Sequence, residues 1–190
     1  LDAYTYRGKT YPLHPINPIF GILEYMEYNK EILEAEGLTD PNKLLANGNW
    51  TWETAREMMK KATRDLDGDG TPDQWGLADA INVYEMIFSN EVRPVNIGEG
   101  GRYVFNMNSE PAIAAVRELY KWRNELNVVG PYETFDNGNA LFGQKAIWQI
   151  EPSADFEWGI VPNAKGPNAE ENHVVSPDAY LPILPANSAN

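Results

Sequence analysis

A helical pattern of apolar residues lies in residues 52–64. Four apolar residues recur there at i, i+3, i+4 and i+7, which places them on one face of an α-helix. They are Ala55, Met58, Met59 and Ala62. Thr51 is predicted to cap this helix, and Glu53 in the first turn suits the positive end of the helix dipole. The pattern predicts a helix with one buried side that leads directly into an acidic loop.

A second helix is predicted to begin at Ser109. Glu110 and Pro111 fall in its first turn, where both residue types are preferred. Five apolar residues are expected to line its buried side: Ile113, Val116, Leu119, Tyr120 and Leu126.

Short apolar runs predict strands elsewhere in the chain. They lie at 19–28 (where a helix also fits the pattern), 76–78, 145–150, 157–162 and 180–184. Shorter helices are predicted over 29–36 (capped by Asn29), 81–88 and 135–142, a short helix or turn over 40–47, and a loop or hairpin over 91–103. Helices that alternate with short apolar strands indicate a layered α/β fold.

The loop at 65–76 carries the most specific chemistry in the sequence. Four aspartates alternate there at odd positions, and so many like charges repel one another unless a cation lies among them. The spacing matches a calcium loop of the EF-hand type, with ligands at positions 1, 3, 5, 7 and 9 and a glycine, Gly70, at position 6. The predicted calcium ligands are Asp65, Asp67, Asp69, Thr71 (through its carbonyl) and Asp73.

One position of this loop departs from the EF-hand pattern. Position 12, where an EF-hand carries a bidentate glutamate, is Gly76. The remaining calcium ligands are therefore expected from water or from another part of the chain. The alternative is an aspartate-rich turn without metal, closed by hydrogen bonds from side chains to the backbone.

Composition and charge exclude several classes of partner. The chain has 190 residues, enough for one domain or one and part of a second. A formal net charge of −13 disfavours nucleic acid and anionic membranes, since both would repel it. No apolar run approaches 18 residues, so no membrane-spanning segment is predicted. The sequence has no cysteine, which rules out disulfides, thiolate metal sites and a cysteine nucleophile.

No pattern for catalysis is found. The acidic residues outside the loop show no spacing that singles out a pair for glycoside hydrolysis. His14 and His173 lie far apart, with no partners for a catalytic triad or a zinc site. The chain is therefore predicted not to be an enzyme.

Several stretches, in their order along the chain, are similar to the extracellular solute-binding proteins, family 1, of bacterial ABC importers. This family includes maltose-binding protein, and the likeness is strongest to the oligosaccharide-binding lipoproteins of Gram-positive bacteria. The stretches are GKTY at 8–11, YNK at 28–30, WTW at 50–52, the loop at 65–76, FGQKAI at 142–147, GIVP at 159–162 and KGP at 165–167.

The resemblance implies a periplasmic-binding-protein-like fold of type II, of which this chain would be the C-terminal lobe. Family members are roughly twice as long and close two lobes on a ligand. The implied division is a hinge-flanking extended segment at 1–20, the α/β lobe with its calcium loop at 21–176, and the return hinge crossing at 177–190. No export signal or lipid-anchor motif is expected within the sequence itself.

The resemblance also implies the function, which is binding of an oligosaccharide and its presentation to the permease subunits of an ABC importer outside the cell. Sugars stack on aromatic rings, and the predicted ligand-binding residues are Trp52, Tyr84 and Trp148. The competing hypothesis is a free-standing calcium-dependent protein-interaction module without sugar binding. Exposed hinge strands leave self-association open.

Overall fold

The computed structural model describes residues 5–6, 9–10, 24–146 and 155–172. The strands are β1 (Thr5–Tyr6), β2 (Lys9–Thr10), β3 (Glu24–Asn29), β4 (Trp75–Ala78), β5 (Val95–Ile97), β6 (Tyr103–Phe105), β7 (Val129–Gly130), β8 (Ala140–Ala146) and β9 (Trp158–Val161). The α-helices are α1 (Lys30–Ala35), α2 (Pro41–Ala46), α3 (Trp52–Ala62), α4 (Val83–Phe88) and α5 (Glu110–Tyr120). A π-helical turn, Lys121–Glu125, continues α5, and 3-10 turns cover Glu99–Gly101 and Tyr132–Thr134.

Five strands form the central sheet in the order β7-β4-β8-β3-β9. β4 runs parallel to both β7 and β8, whereas β3 runs antiparallel to β8 and β9. The register pairs Leu77 of β4 with Phe142 of β8, and Met26 of β3 with Gln144. Two antiparallel hairpins, β1–β2 and β5–β6, lie outside this sheet. The α/β fold predicted from the alternation of helices and strands is confirmed.

The predicted starts of α1 and α3 are confirmed together with their caps. Asn29 accepts hydrogen bonds from the amides of Glu31 and Ile32 at the start of α1. Thr51 and Thr54 form a reciprocal capping box at the start of α3. The four apolar residues predicted for the buried side of α3 are all buried.

The main core lies between the sheet and helices α3, α4 and α5. Its largest fully buried side chains include Trp50, whose ring centroid is 5.6 Å from that of Phe142. The indole N–H of Trp50 donates to the carbonyl of Pro162 at 2.7 Å, which satisfies its one polar atom. A smaller cluster around Phe135 and Ala140 covers another part of the sheet.

Two sequence predictions are wrong. Residues 135–142 do not form a helix, because this segment ends in β8, which is paired on both sides by β4 and β3. Val116 and Tyr120 of α5 are not buried, and they are 45% and 59% exposed. The buried side of α5 instead consists of Ala112, Ala115 and Leu119, followed by Trp122 in the π-helical turn. Small alanines allow close approach of the neighbouring elements, and the wider turn brings the tryptophan onto the same side.

The predicted hinge segments lie mostly outside the described residues. Of 1–20, only β1 and β2 are described, and they form a hairpin in which Thr5 pairs with Thr10. The return crossing at 177–190 and the strand predicted at 180–184 are not among the described residues. Within the described part of the chain, no helix combines the length and apolar character needed to cross a bilayer.

Candidate ligand site and aspartate loop

Three parallel strands end at the same edge of the sheet. β4, β7 and β8 are parallel, so their carboxyl ends lie together, and the segments that follow them form one rim, here called the carboxyl edge. Ligands of open α/β sheets bind outside such an edge. Residues 79–82 and 131–134 are the described parts of this rim, while the segment directly after β8 lies outside the described residues.

Tyr84 lies in the first turn of α4, where a capping box fixes the backbone. The side-chain carbonyl of Asn82 accepts hydrogen bonds from the amides of Tyr84 and Glu85 at 2.9 and 3.2 Å. The Glu85 carboxylate in turn accepts from the backbone and side-chain N–H groups of Asn82 at 2.9 and 2.7 Å. Glu85 is buried, whereas Tyr84 is 52% exposed. The backbone that carries this aromatic ring is therefore fixed beside the rim, and about half of the side chain is free for contact.

The loop between β4 and α4 is tied down by an arginine. Arg123 donates from Nε and Nη2 to one oxygen of Asp79 at 3.0 and 2.6 Å, and from Nη2 to the carbonyl of Ile81 at 2.6 Å. The amide of Asp79 donates to the carbonyl of Gly130 at the end of β7. These bonds fix the two connections of the carboxyl edge to each other.

Lys145, near the end of β8, lies between two carboxylates. Its ammonium is 2.6 Å from Asp136 Oδ1 and 3.9 Å from Glu27 Oε2. Burial opposes the charge on Lys145, but the hydrogen bond to Asp136 and the attraction of Glu27 outweigh it and raise its pKa. A cavity of about 10 Å³, the size of one water molecule, adjoins the three groups and Tyr132.

Glu27 is the most unusual side chain of the sheet. It is 3% exposed, and its Oε2 has no hydrogen-bond partner in the structure as described. Burial raises its pKa from 4.5 to about 7, against the attraction of Lys145 and with a further contribution from Asp136. Sequence reasoning missed Glu27, although an acidic residue inside the apolar run 19–28 was a signal that could have found it.

The predicted ligand residues Trp52 and Tyr84 are not brought together. Trp52 is 5% exposed, and its indole N–H donates to Ser89 Oγ at 3.1 Å, at the far end of α4 from Tyr84. Tyr84 and Ser89 are five residues apart along α4, which places them about 8 Å apart. Trp52 adjoins a groove of about 330 Å³ with Arg56 and Glu118, but little of its ring is free for a ligand. Trp148 lies outside the described residues.

The aspartate loop folds around its own side chains. The two oxygens of Asp65 accept from the amides of Gly68 and Gly70 at 2.7 and 2.8 Å, and these bonds lower its pKa. Gly68 and Gly70 have φ values of +81° and +93°, which favour glycine. Asp69 Oδ1 accepts from the amide of Thr71 at 2.7 Å. These are the bonds expected of a self-closing turn.

The same loop also gathers oxygen atoms. One carboxylate oxygen from each of Asp65, Asp67 and Asp73 lies within 4.8 Å of the others, and all three residues are exposed. Asp73 is positioned by the amides of Leu66 and Asp67, which donate to its Oδ2 at 2.8 and 3.3 Å. Three converging carboxylates are a donor set that suits a hard cation such as calcium.

Known proteins resemble this chain in structure. No family model and no curated protein sequence matches it. Solved structures do: the ABC substrate-binding protein Lmo0181 of Listeria monocytogenes, in complex with cycloalternan, shares 21% identity at a TM-score of 0.64, over 87% of this chain and 42% of that one. UspC of Mycobacterium tuberculosis shares 22% at a TM-score of 0.64, over 90% and 48%. MalE of Bdellovibrio bacteriovorus, bound to maltotriose, shares 20% at 0.60, over 88% and 43%.

The chain has the fold of a single lobe of the ABC sugar-binding proteins. It spans less than half the length of the proteins that it matches. At identities near 20%, this likeness establishes the fold but does not identify the ligand or the residues that bind it. The periplasmic-binding-protein-like fold implied by the sequence motifs is confirmed.

Proposed function

We propose that the lobe binds a carbohydrate at its carboxyl edge and presents it to the permease subunits of an ABC importer outside the cell. The observation that carries the proposal is Tyr84, a half-exposed aromatic residue on a backbone fixed by a capping box, at the carboxyl edge of a lobe with this fold. Two of the similar proteins were solved with cycloalternan and maltotriose, which are oligosaccharides.

The chemistry of the rim suits a sugar. The apolar C–H face of a pyranose can stack on the Tyr84 ring, while Asp79 of the rim and Asp136, beside Lys145 near the end of β8, accept hydrogen bonds from hydroxyls. Trp148, which lies outside the described residues, remains a predicted stacking residue. The burial of Trp52 favours a supporting role, in which its indole holds the end of α4.

The proposal includes a structural calcium ion in the aspartate loop. Asp65, Asp67 and Asp73 would bind it through their converging oxygens, with Asp69 and the carbonyl of Thr71 as the further ligands predicted from the spacing. The ion would neutralise repulsion in the loop and stabilise the connection between α3 and β4. The alternative of a free-standing calcium-dependent interaction module gains no support from the fold.

Sugar titration of the isolated chain tests the binding function. Calorimetry with maltotriose and cycloalternan is expected to give dissociation constants on the order of millimolar or weaker, because one lobe supplies only part of a cleft that closes. Tyr84→Ala should weaken binding roughly 2- to 10-fold through the loss of stacking. Tyr120→Ala, another half-exposed tyrosine but on α5, is the matched control and should leave affinity unchanged.

Two outcomes would contradict this proposal. Micromolar affinity in the isolated chain would mean that a complete site is present without a second lobe. Equal loss of affinity in the Tyr84 and Tyr120 variants would mean that the carboxyl edge does not hold the sugar.

A further inference from the structure

Glu27 is a buried acid in the middle of the sheet. Its strand, β3, is paired on both sides, with Gly143 of β8 opposite it on one side and Ile160 of β9 on the other. The side chain is 3% exposed, and within the described part of the chain Oε2 accepts no hydrogen bond. A buried carboxylate without donors is unfavourable, so the neutral acid is the form that this position favours.

Lys145 is within reach of two acids. Its ammonium is 2.6 Å from Asp136, which is half exposed, and 3.9 Å from Oε2 of Glu27, which is buried. A movement of about 1 Å would bring the ammonium into hydrogen-bond distance of Glu27. The Lys145 ammonium can therefore pair with either acid. Whether Glu27 is ionised decides whether Lys145 pairs with Glu27 or with Asp136.

Few other charged groups lie close enough to affect the pairing of Lys145 among the described residues. Within residues 24–146 and 155–172, the ionisable groups around Glu27 are Lys145 on β8, Asp136 and Tyr132 after β7, and Tyr25 on its own strand. β4 and β9 carry no ionisable side chain. The adjoining cavity of about 10 Å³ leaves room for one water molecule, through which a proton can leave Glu27.

We propose that Glu27 is a positioning residue whose proton sets the place of the Lys145 ammonium at the carboxyl edge. When Glu27 is protonated, Lys145 is paired with Asp136 at the surface. When Glu27 releases its proton to solvent, the buried carboxylate draws Lys145 inward and the hydrogen bond to Asp136 is lost. Asp136 then stands at the edge as an unpaired acceptor.

The test of the device is a pH titration by NMR between pH 5.5 and 8.5. The chemical shifts of the Glu27 carboxyl carbon and of the Lys145 Cε–Nζ group are followed together. Both shifts are expected to change with pH around one shared midpoint near 7, because the Lys145 ammonium moves when Glu27 loses its proton. In Glu27→Gln, the Lys145 signal should stay constant over the whole range. In Asp136→Asn, the Glu27 midpoint should move to lower pH, because a negative neighbour that raises it is gone.

Glu133→Gln is the matched control, since Glu133 is exposed and belongs to the same segment as Asp136. It should leave the shared midpoint in place. The proposal is overturned if the Lys145 chemical shift does not change around pH 7 in the unchanged protein, or if it still changes there in Glu27→Gln. If Glu27→Gln does not fold, Asp136→Asn decides the matter, because an unchanged Glu27 midpoint in that variant would also overturn the proposal.

An effect on ligand binding rests on the proposed function and is measured separately. Since sugar hydroxyls donate to free carboxylates, the release of Asp136 should make maltotriose binding several-fold tighter at pH 8 than at pH 6, and Glu27→Gln should abolish this difference. Equal affinity at both pH values would overturn the link to binding. No sugar binding at either pH would refute the proposed function, while the NMR titration would still decide the proton-dependent movement.

Discussion

Glu27→Gln should change how the stability of the lobe depends on pH. The pKa of Glu27 is about 7 in the folded chain and near 4.5 when the chain is unfolded. Between these values the folded state keeps a proton that the unfolded state has lost. The free energy of unfolding therefore falls as pH rises from about 4.5 to 7, and the loss is complete above 7. Glutamine has nearly the same shape and stays neutral, so the variant should escape this loss.

The size of the effect follows from the two pKa values. Each unit corresponds to about 1.4 kcal/mol, so a change from 4.5 to about 7 amounts to about 3 kcal/mol at pH 8. This is an upper value, because movement of Lys145 toward the ionised acid would recover part of it. For a chain of this length, the same free energy corresponds to a rise in melting temperature of roughly 6–12 °C. At pH 4.5, the two proteins should differ little.

Thermal or urea unfolding of both proteins at pH 4.5, 6 and 8 measures this difference. Glu133→Gln removes an exposed carboxylate close to Asp136, and its difference from the unchanged protein should vary little with pH. A Glu27→Gln variant that is less stable at pH 8 than the unchanged protein would refute the reasoning. It would mean that the folded state stabilises the ionised form of Glu27, so that the pKa of Glu27 is lowered by folding and not raised.

Three further perturbations have expected outcomes that unfolding experiments can check. Calcium should raise the melting temperature, and the double variant Asp67→Ala, Asp69→Ala should abolish the rise; no rise in the unchanged protein would indicate a metal-free turn. Arg56→Met should cost about 1–3 kcal/mol, because the partly buried carboxylate of Glu118 loses its cation and keeps only the hydrogen bond from the Trp122 indole, whereas Arg117→Met, in an exposed pair, should cost under about 0.5 kcal/mol. Gly130→Ala should cost about 1–3 kcal/mol, since its Cβ would lie 2.4 Å from an indole carbon; a neutral effect would contradict the packing.

Local signals in the sequence predicted the helix starts well. The caps at Asn29 and Thr51 depend on one side chain and the next two or three amides, so they can be read from adjacent residues. The aspartate loop is local in the same way, because its aspartate side chains accept their hydrogen bonds from amides within 66–71. Such features need no knowledge of the rest of the fold.

The errors arose where distant partners decide the structure. Residues 140–142 belong to β8 because β3 and β4 pair with that segment, from more than 60 residues earlier in the chain. Val116 and Tyr120 are apolar and at helical spacing, yet the side of α5 that faces α4 is the one with small alanines. Hydrophobic periodicity shows that a helix has two sides, but close packing chooses between them.

The candidate site also contains parts that depend on local sequence and parts that depend on distant partners, and the sequence predicted only the former. Tyr84 follows a strand and opens a helix, a position that places it at a sheet edge whatever the other strands do. The Glu27, Lys145 and Asp136 group is different, because Glu27 and Lys145 are 118 positions apart and meet only through the pairing of β3 with β8. The three side chains come together only because of the register in which β3 pairs with β8.

The departure of the aspartate loop from the EF-hand pattern has a structural reason of the same kind. Gly76, at position 12, is already part of β4, and β4 packs against α3 so closely that a Cβ on Gly76 would lie 2.5 Å from the Cβ of Met59. A glutamate cannot stand there without separating the helix from the strand. The loop connects two elements that are packed together directly after it ends, whereas the helices of an EF-hand diverge. A calcium ion bound here would therefore depend on the carboxylates of the first nine positions and on water, and its role would be to stabilise a connection that the core already holds.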